Sequence, residues 1–174
     1  PFCLKRAIKE INGVNRNTKL LLFLSGLFLA LHFAFWITSL EYTSVASSVV
    51  LVTTAPLWVA ILSPIFLNEK LNKWIFGGLG VALIGSVIVG LSSGCSISAA
   101  GVTCENLQIA FSGRAFWGDL MALAGALLSG SYLMAGRKVR TRVSLSSYIF
   151  SVYTTAAVIL LLLVWITGER LSGY

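Results

Sequence analysis

Residues 20–40 read LLLFLSGLFLALHFAFWITSL, 21 consecutive positions without a formal charge. A helix of about 20 predominantly apolar residues spans a hydrocarbon core of roughly 30 Å. Four more such runs follow: Val45–Leu67, Trp74–Leu91, Trp117–Gly136 and Ser147–Thr167. Each of the five has 18 to 23 residues, and Asp119 is the only formal charge inside any of them. Barrel strands alternate in polarity over about 10 residues, whereas these runs are continuously apolar at twice that length. A helix also satisfies its backbone hydrogen bonds internally, as the bilayer demands. The sequence therefore predicts an all-α, polytopic membrane helix bundle with five transmembrane helices in view.

The charges around the runs orient them. The segments before the first run, between the second and third, and between the fourth and fifth carry eleven of the thirteen Lys and Arg residues. They are Lys5, Arg6, Lys9, Arg16 and Lys19, then Lys70 and Lys73, then Arg137, Lys138, Arg140 and Arg142. The opposite side has only Arg114 and Arg170. The positive-inside rule places residue 1 on the cytoplasmic side of a cell (inner or plasma) membrane and residue 174 outside. The same placement removes the nucleic-acid reading that a net charge of +7 invites, because the cations flank spans on one side. At 57% hydrophobic and 11% charged, the composition is far from that of soluble domains, about a quarter of whose residues are charged.

Organisation follows from the short connections, which make consecutive helices antiparallel neighbours. Residues 1–19 are a basic cytoplasmic loop or short interfacial helix without the h-region of a signal peptide. Residues 92–116, rich in Ser, Gly and Asn, form the one long outer loop and divide 20–91 from 117–174. A first residue other than Met, and a last one only seven residues past a span, predict a piece of a longer chain. Cys95 and Cys104 share the outer loop, where an oxidising compartment lets them pair, while the cytoplasmic Cys3 stays reduced. Their separation permits closure without specifying it.

Candidate functional residues lie in two neighbouring spans. His32, the only histidine, shares a helical stripe with Ser25, Trp36 and Ser39. Ionisable groups at membrane depth tend to face a bundle interior or a water-filled path; the plainer account is a histidine hydrogen-bonded to an adjacent helix. The second run carries Ser44, Ser47, Ser48 and Thr54, then Trp58, with Pro56 near its centre. Pro56 cannot donate to the carbonyl of Val52, and discontinuous midplane helices often hold transport sites, although a bare kink fits as well. Tyr132, and with it Tyr148, Tyr153 and Thr155, can reach a shared cavity. Asp119 opens the fourth run, where the helix dipole favours a carboxylate, so its role is structural. Two rows of small residues predict packing faces: Gly78, Ala82 and Gly85 in the third run, and Gly118, Ala122, Gly125, Ala126 and Ser129 in the fourth. No catalytic residues, metal-ligand spacing, phosphate cradle or cofactor motif is visible, so an enzyme is not expected.

The stretch SLEYTSVASSVVLVTTAPLWVAILSPIFLNEKLNKWIFGGLGVALIGSVIVG, residues 39–90, resembles the EamA-type repeat of the drug/metabolite transporter superfamily. The likeness lies in the small residues Thr43–Ser48, the mid-helix Pro56, the turn Glu69-Lys70-Leu71 and the glycine-rich Gly77–Gly90. Residues 117–142 look like the start of a second repeat. The resemblance implies ten helices in two inverted five-helix repeats, of which this chain holds helices three to seven. That places the last three helices of one repeat in 20–91 and the first two of the next in 117–174. It also implies a secondary transporter that exports small metabolites, amino-acid-like or drug-like, by alternating access.

The substrate-binding residues expected are His32, Trp36, Ser47, Thr54, Trp58 and Tyr132, with Pro56 as the kink. Aromatic walls and sparse hydroxyls suit small amphipathic solutes better than inorganic ions. The partners expected are the solute and the lipid bilayer, with proton or ion coupling and oligomeric state left open. The alternative is a non-transporting membrane scaffold or assembly subunit on the same fold. The concentration of polar residues near the midplane of two adjacent helices favours transport.

Overall fold

The computed structural model describes residues 2–68, 72–92, 96–98, 101–103 and 113–168. Over these residues the chain is all-α apart from one short hairpin. The helices are α1 (Phe2–Gly13), α2 (Arg16–Ser39), α3 (Val45–Val52), α4 (Ala55–Leu67), α5 (Lys73–Ser92), α6 (Arg114–Val139) and α7 (Leu145–Thr167). The hairpin pairs β1 (Ser96–Ser98) with β2 (Gly101–Thr103), with Ile97 opposite Val102. It falls within the 92–116 segment expected as loop, where a glycine at φ 127°, Gly101, opens β2. Cys95 and Cys104, the candidate disulfide, lie outside the described residues, as does the turn Glu69-Lys70-Leu71.

Among the described residues, four segments are long and apolar enough to cross a membrane: α2, α3 and α4 together (Val45–Leu67), α6 and α7. The third predicted run forms α5, 20 residues long, with Lys73–Ser86 as its described apolar stretch. The fold class is thus the expected all-α membrane helix bundle. The burial pattern has the same origin. Ala30, Ala122, Ala126, Ser25, Ser39 and Ser48 are completely buried, whereas Trp74, Val81, Trp165 and Ile166 are at least 72% exposed. In lipid, large apolar side chains lose nothing by facing outward, and small ones let backbones approach.

Local chemistry sets the helix ends. Residues 2–13 form a helix rather than a loop, and Asn15 then starts α2 four residues before the apolar run. The Asn15 Oδ1 accepts from the Thr18 amide at 2.9 Å and the Thr18 hydroxyl at 2.6 Å, the geometry of an N-cap. Ser44 caps α3 through the Ser47 amide, and Ser144 caps α7 in the same way through Ser147. The second predicted span is not one helix. It breaks at Thr53–Thr54, and Pro56 stands in the first turn of α4. The amides around the break make tighter bonds, from Thr54 to Leu51 O and from Leu57 to Thr54 O. Asn68 ends α4 at φ 53° and Gly168 ends α7 at φ 71°, both in the left-handed region that closes helices.

The described residues fall into two compact units, one within 1–31 and 131–174, the other within 32–130. In the first, α1 packs on α7. Leu22 and Val152 are buried there, and Gly26 lies so close to Thr155 and Val152 that a Cβ on it would stand 2.6 Å from Thr155 Cβ. Ser25 Oγ and Tyr148 Oη are 2.7 Å apart. Glu10 of α1 closes the start of α7, accepting from the Ser144 amide at 2.7 Å, from its hydroxyl at 2.6 Å and from the Ser147 hydroxyl. Arg142 donates to Thr18 Oγ1 at 3.2 Å.

The second unit sets α6 residues 114–130 against the end of α2, the turn after it, and α3–α4. The small-residue face of α6 packs as expected, with Ala122 and Ala126 at 0% exposure. The glycine row of α5 does not. Cβ atoms on Gly77, Gly78, Gly80 or Gly85 would meet nothing within 4 Å, so that row is not a packing face among the described residues. Its neighbours are α3 and α4, and they do not close over it.

Candidate functional site

The candidate site lies in the 32–130 unit, where the end of α2 and the broken α3–α4 span both approach α6. His32 Nδ1 stands 2.9 Å from the Gly125 carbonyl. A carbonyl only accepts, so Nδ1 carries the proton of this bond; in the neutral ring Nε2 is then an acceptor. One turn on, Trp36 stacks on His32 with ring centroids 5.9 Å apart and planes 23° from parallel. Phe33 completes the aromatic group, 5.0 Å from His32. The α2 backbone runs close to Gly125, whose Cβ position would lie 3.5 Å from His32 O and 3.6 Å from Trp36 N, ordinary contact distances.

Farther along α6, Gly130 faces the start of α4. A Cβ there would stand 2.9 Å from Trp58 Cβ and 3.5 Å from Ala55 O. Trp36 and Trp58 share an unusual feature: the indole Nε1 of each is buried with no hydrogen-bond partner among the described residues. The indole N–H is donor-only, and a buried donor without an acceptor is costly.

The hydroxyls predicted to line the site are engaged elsewhere. Ser47 Oγ donates to Asp119 Oδ1 at 2.8 Å, and Thr43 Oγ1 donates to the same oxygen at 2.7 Å. Asp119 therefore ties the α2–α3 turn and the first turn of α3 to α6, in line with a structural carboxylate. Gly118 lets the turn come that close, since a Cβ on it would lie 2.7 Å from the Thr43 amide nitrogen. Beside it, the Arg114 guanidinium sits 4.9 Å from the centre of the Tyr42 ring, a cation–π contact. Ser39 Oγ donates to Trp36 O at 2.6 Å. Its one proton is spent there, so Ser48, 2.6 Å away, donates to Ser39.

At the helix break a groove of about 330 Å³ opens between α3–α4 and α5. Thr53, Thr54, Pro56 and Leu57 line one side, and Leu79, Ala82 and Ser86 the other. Its hydroxyls turn back on their own helices: Thr53 to Val50 O, Thr54 to Leu51 O and Ser86 to Ala82 O. The wall it presents is apolar. Thr54 and Pro56 thus line this groove, while His32, Trp36 and Trp58 pack on α6. Tyr132 belongs to the other unit, where its ring stacks on Tyr148 with centroids 6.4 Å apart. The α5 contribution to the groove was not predicted; its only sequence signal was the small-residue row read as a packing face. No group of three or more His, Cys, Asp or Glu suited to a metal occurs among the described residues.

The model of the EamA-like transporter family matches residues 1–91, just over half of the chain. The chain belongs to that family. As an EamA-like protein it is a multi-pass membrane protein from a family of transporters. The matched region includes the 39–90 stretch that carries the resemblance most specifically, and takes in α1 and all of α2. No curated protein and no solved structure matches the chain.

Proposed function

We propose that this EamA-like chain forms part of a secondary transporter, not an enzyme, that exports small amphipathic metabolites by alternating access. In this reading the chain supplies helices three to seven of ten, with residues 1–19 cytoplasmic in a cell (inner or plasma) membrane. The observation that carries it is the interruption of a membrane span at Thr53–Thr54, with Pro56 behind it and an apolar groove alongside. A helix with a missing backbone bond is a natural hinge, and the midplane is where broken helices place transport sites. Trp36 and Trp58 supply aromatic surface on the α6 side of the broken span, and His32 holds the Trp36 ring by stacking. Ser47 serves the site through Asp119, by fixing the turn that carries α3.

Solute flux in proteoliposomes, with a pH gradient imposed or absent, tests this directly. His32→Leu should impair flux while expression and insertion stay near wild type. Unchanged flux would remove His32 from the site, and no flux of amino-acid-like or drug-like solutes by correctly inserted protein would overturn the transport reading.

A further inference from the structure

Resting on that reading, we infer that the solute is selected through a hydrogen-bond-accepting oxygen, offered to the indole N–H groups of Trp36 and Trp58. Both nitrogens are buried and neither has an acceptor among the described residues. The Trp36 ring stacks on His32, and Trp58 is set by its Cβ lying close over Gly130. The two donors thus stand on different helices that both pack on α6. Native structures rarely leave such donors unpaired, and the exceptions call for a functional account.

The usual account of membrane tryptophans is an indole bonded to lipid headgroups at the interface. Here the nitrogens are sealed within protein, so headgroup carbonyls reach neither. Hydroxyls do not serve either, because no side-chain or backbone acceptor among the described residues bonds either nitrogen. What remains is a group that arrives when α3 and α4 part at the break beside Leu57 and Trp58. That group must accept, since an indole N–H can only donate. A carboxylate or carbonyl oxygen qualifies, and an ammonium does not. A solute oxygen that accepts from both indoles relieves two unpaired donors, so the solute itself favours the conformation that binds it.

The test uses the full chain in lipid nanodiscs with ¹⁵N-labelled indoles, which give one resonance for each of the five tryptophans. Three probes share a carbon skeleton: 3-phenylpropionate, 3-phenylpropanamide and 3-phenylpropylamine. The acid and the amide should shift the Trp36 and Trp58 indole resonances saturably, and the amine should not. Trp36→Phe and Trp58→Phe keep the aromatic packing and remove the donor; each should weaken binding of the acid about tenfold. Trp74, Trp117 and Trp165 report the integrity of the fold, because their resonances should be unchanged in both variants. Absence of shifts with all three probes, equal binding of the amine, or full affinity in both Phe variants would each overturn the inference. Flux measured in parallel separates it from the transport reading. Binding at the indoles without flux removes transport and leaves oxygen recognition standing, whereas flux with unaltered selectivity in the Phe variants removes oxygen recognition alone.

Discussion

Alanine substitution at three glycines of one helix should give three different outcomes. In α6 a Cβ at Gly125 would meet its neighbours at 3.5 to 3.6 Å, ordinary contact distances. Gly125→Ala should therefore keep the helix-propensity gain of about 0.8–1 kcal/mol. At Gly118 the new carbon would lie 2.7 Å from the Thr43 amide nitrogen and 2.8 Å from Tyr42 Cβ. Backbone cannot rotate away, so the turn must retreat by about 0.7 Å to reach a tolerable 3.4 Å. Overpacking of this kind costs about 1–3 kcal/mol. The retreat also stretches the 2.7 and 2.8 Å bonds that Thr43 and Ser47 make to Asp119, adding roughly another 1 kcal/mol. After the propensity gain, Gly118→Ala should be destabilised by about 1–3 kcal/mol. Gly130→Ala, which would meet Trp58 Cβ at 2.9 Å, should fall between. Thermal unfolding of detergent-solubilised protein, followed by tryptophan fluorescence, reads the series. For a chain of this size the Gly118 and Gly125 variants should melt about 5–10 °C apart. Equal shifts at the two positions would refute the close approach of α6 to the Tyr42–Thr43 turn.

Other consequences can be measured in the same way. Asp119→Ala should cost about 2–3 kcal/mol by leaving two hydroxyls without their shared acceptor, and Asp119→Asn less than half of that; a double-mutant cycle with Ser47→Ala should show coupling near 1 kcal/mol. Ser25→Ala and Tyr148→Phe should each destabilise by about 1 kcal/mol, and the double variant by clearly less than the sum, because both remove one bond of 2.7 Å. Glu10→Ala should uncap α7 for about 1 kcal/mol, visible as faster hydrogen exchange at the Ser144 amide, while Glu10→Gln should keep much of the protection.

What the sequence made legible was governed by local chemistry. Uncharged runs such as Leu20–Leu40 announced spans because bilayer thickness fixes their length. Pro56 announced a break because its ring removes a donor whatever surrounds it. The row Gly118, Ala122 and Ala126 was legible as a packing face, but the identical logic failed for Gly77, Gly78, Gly80 and Gly85. A small residue permits approach without supplying a neighbour, and tertiary placement decides which rows are used. The hydroxyls show the same limit. Ser47 and Thr54 were equally plausible as lining groups, yet one bonds Asp119 across 72 residues and the other its own helix. His32 follows the plainer of its two sequence readings, bonded through one ring nitrogen to the Gly125 carbonyl of a neighbouring helix. The unpaired indoles left no trace in the sequence, because a missing partner is a property of the packed structure alone.

The contact between Glu10 and the start of α7 joins residues 134 positions apart. During synthesis this bond waits for Ser144 to emerge, and it can form only where α7 begins on the same side of the membrane as α1. A chain that threads one span the wrong way brings the start of α7 to the opposite face, where its first amides find no carboxylate. The Glu10 contact thus requires that an even number of spans separate α1 from the start of α7.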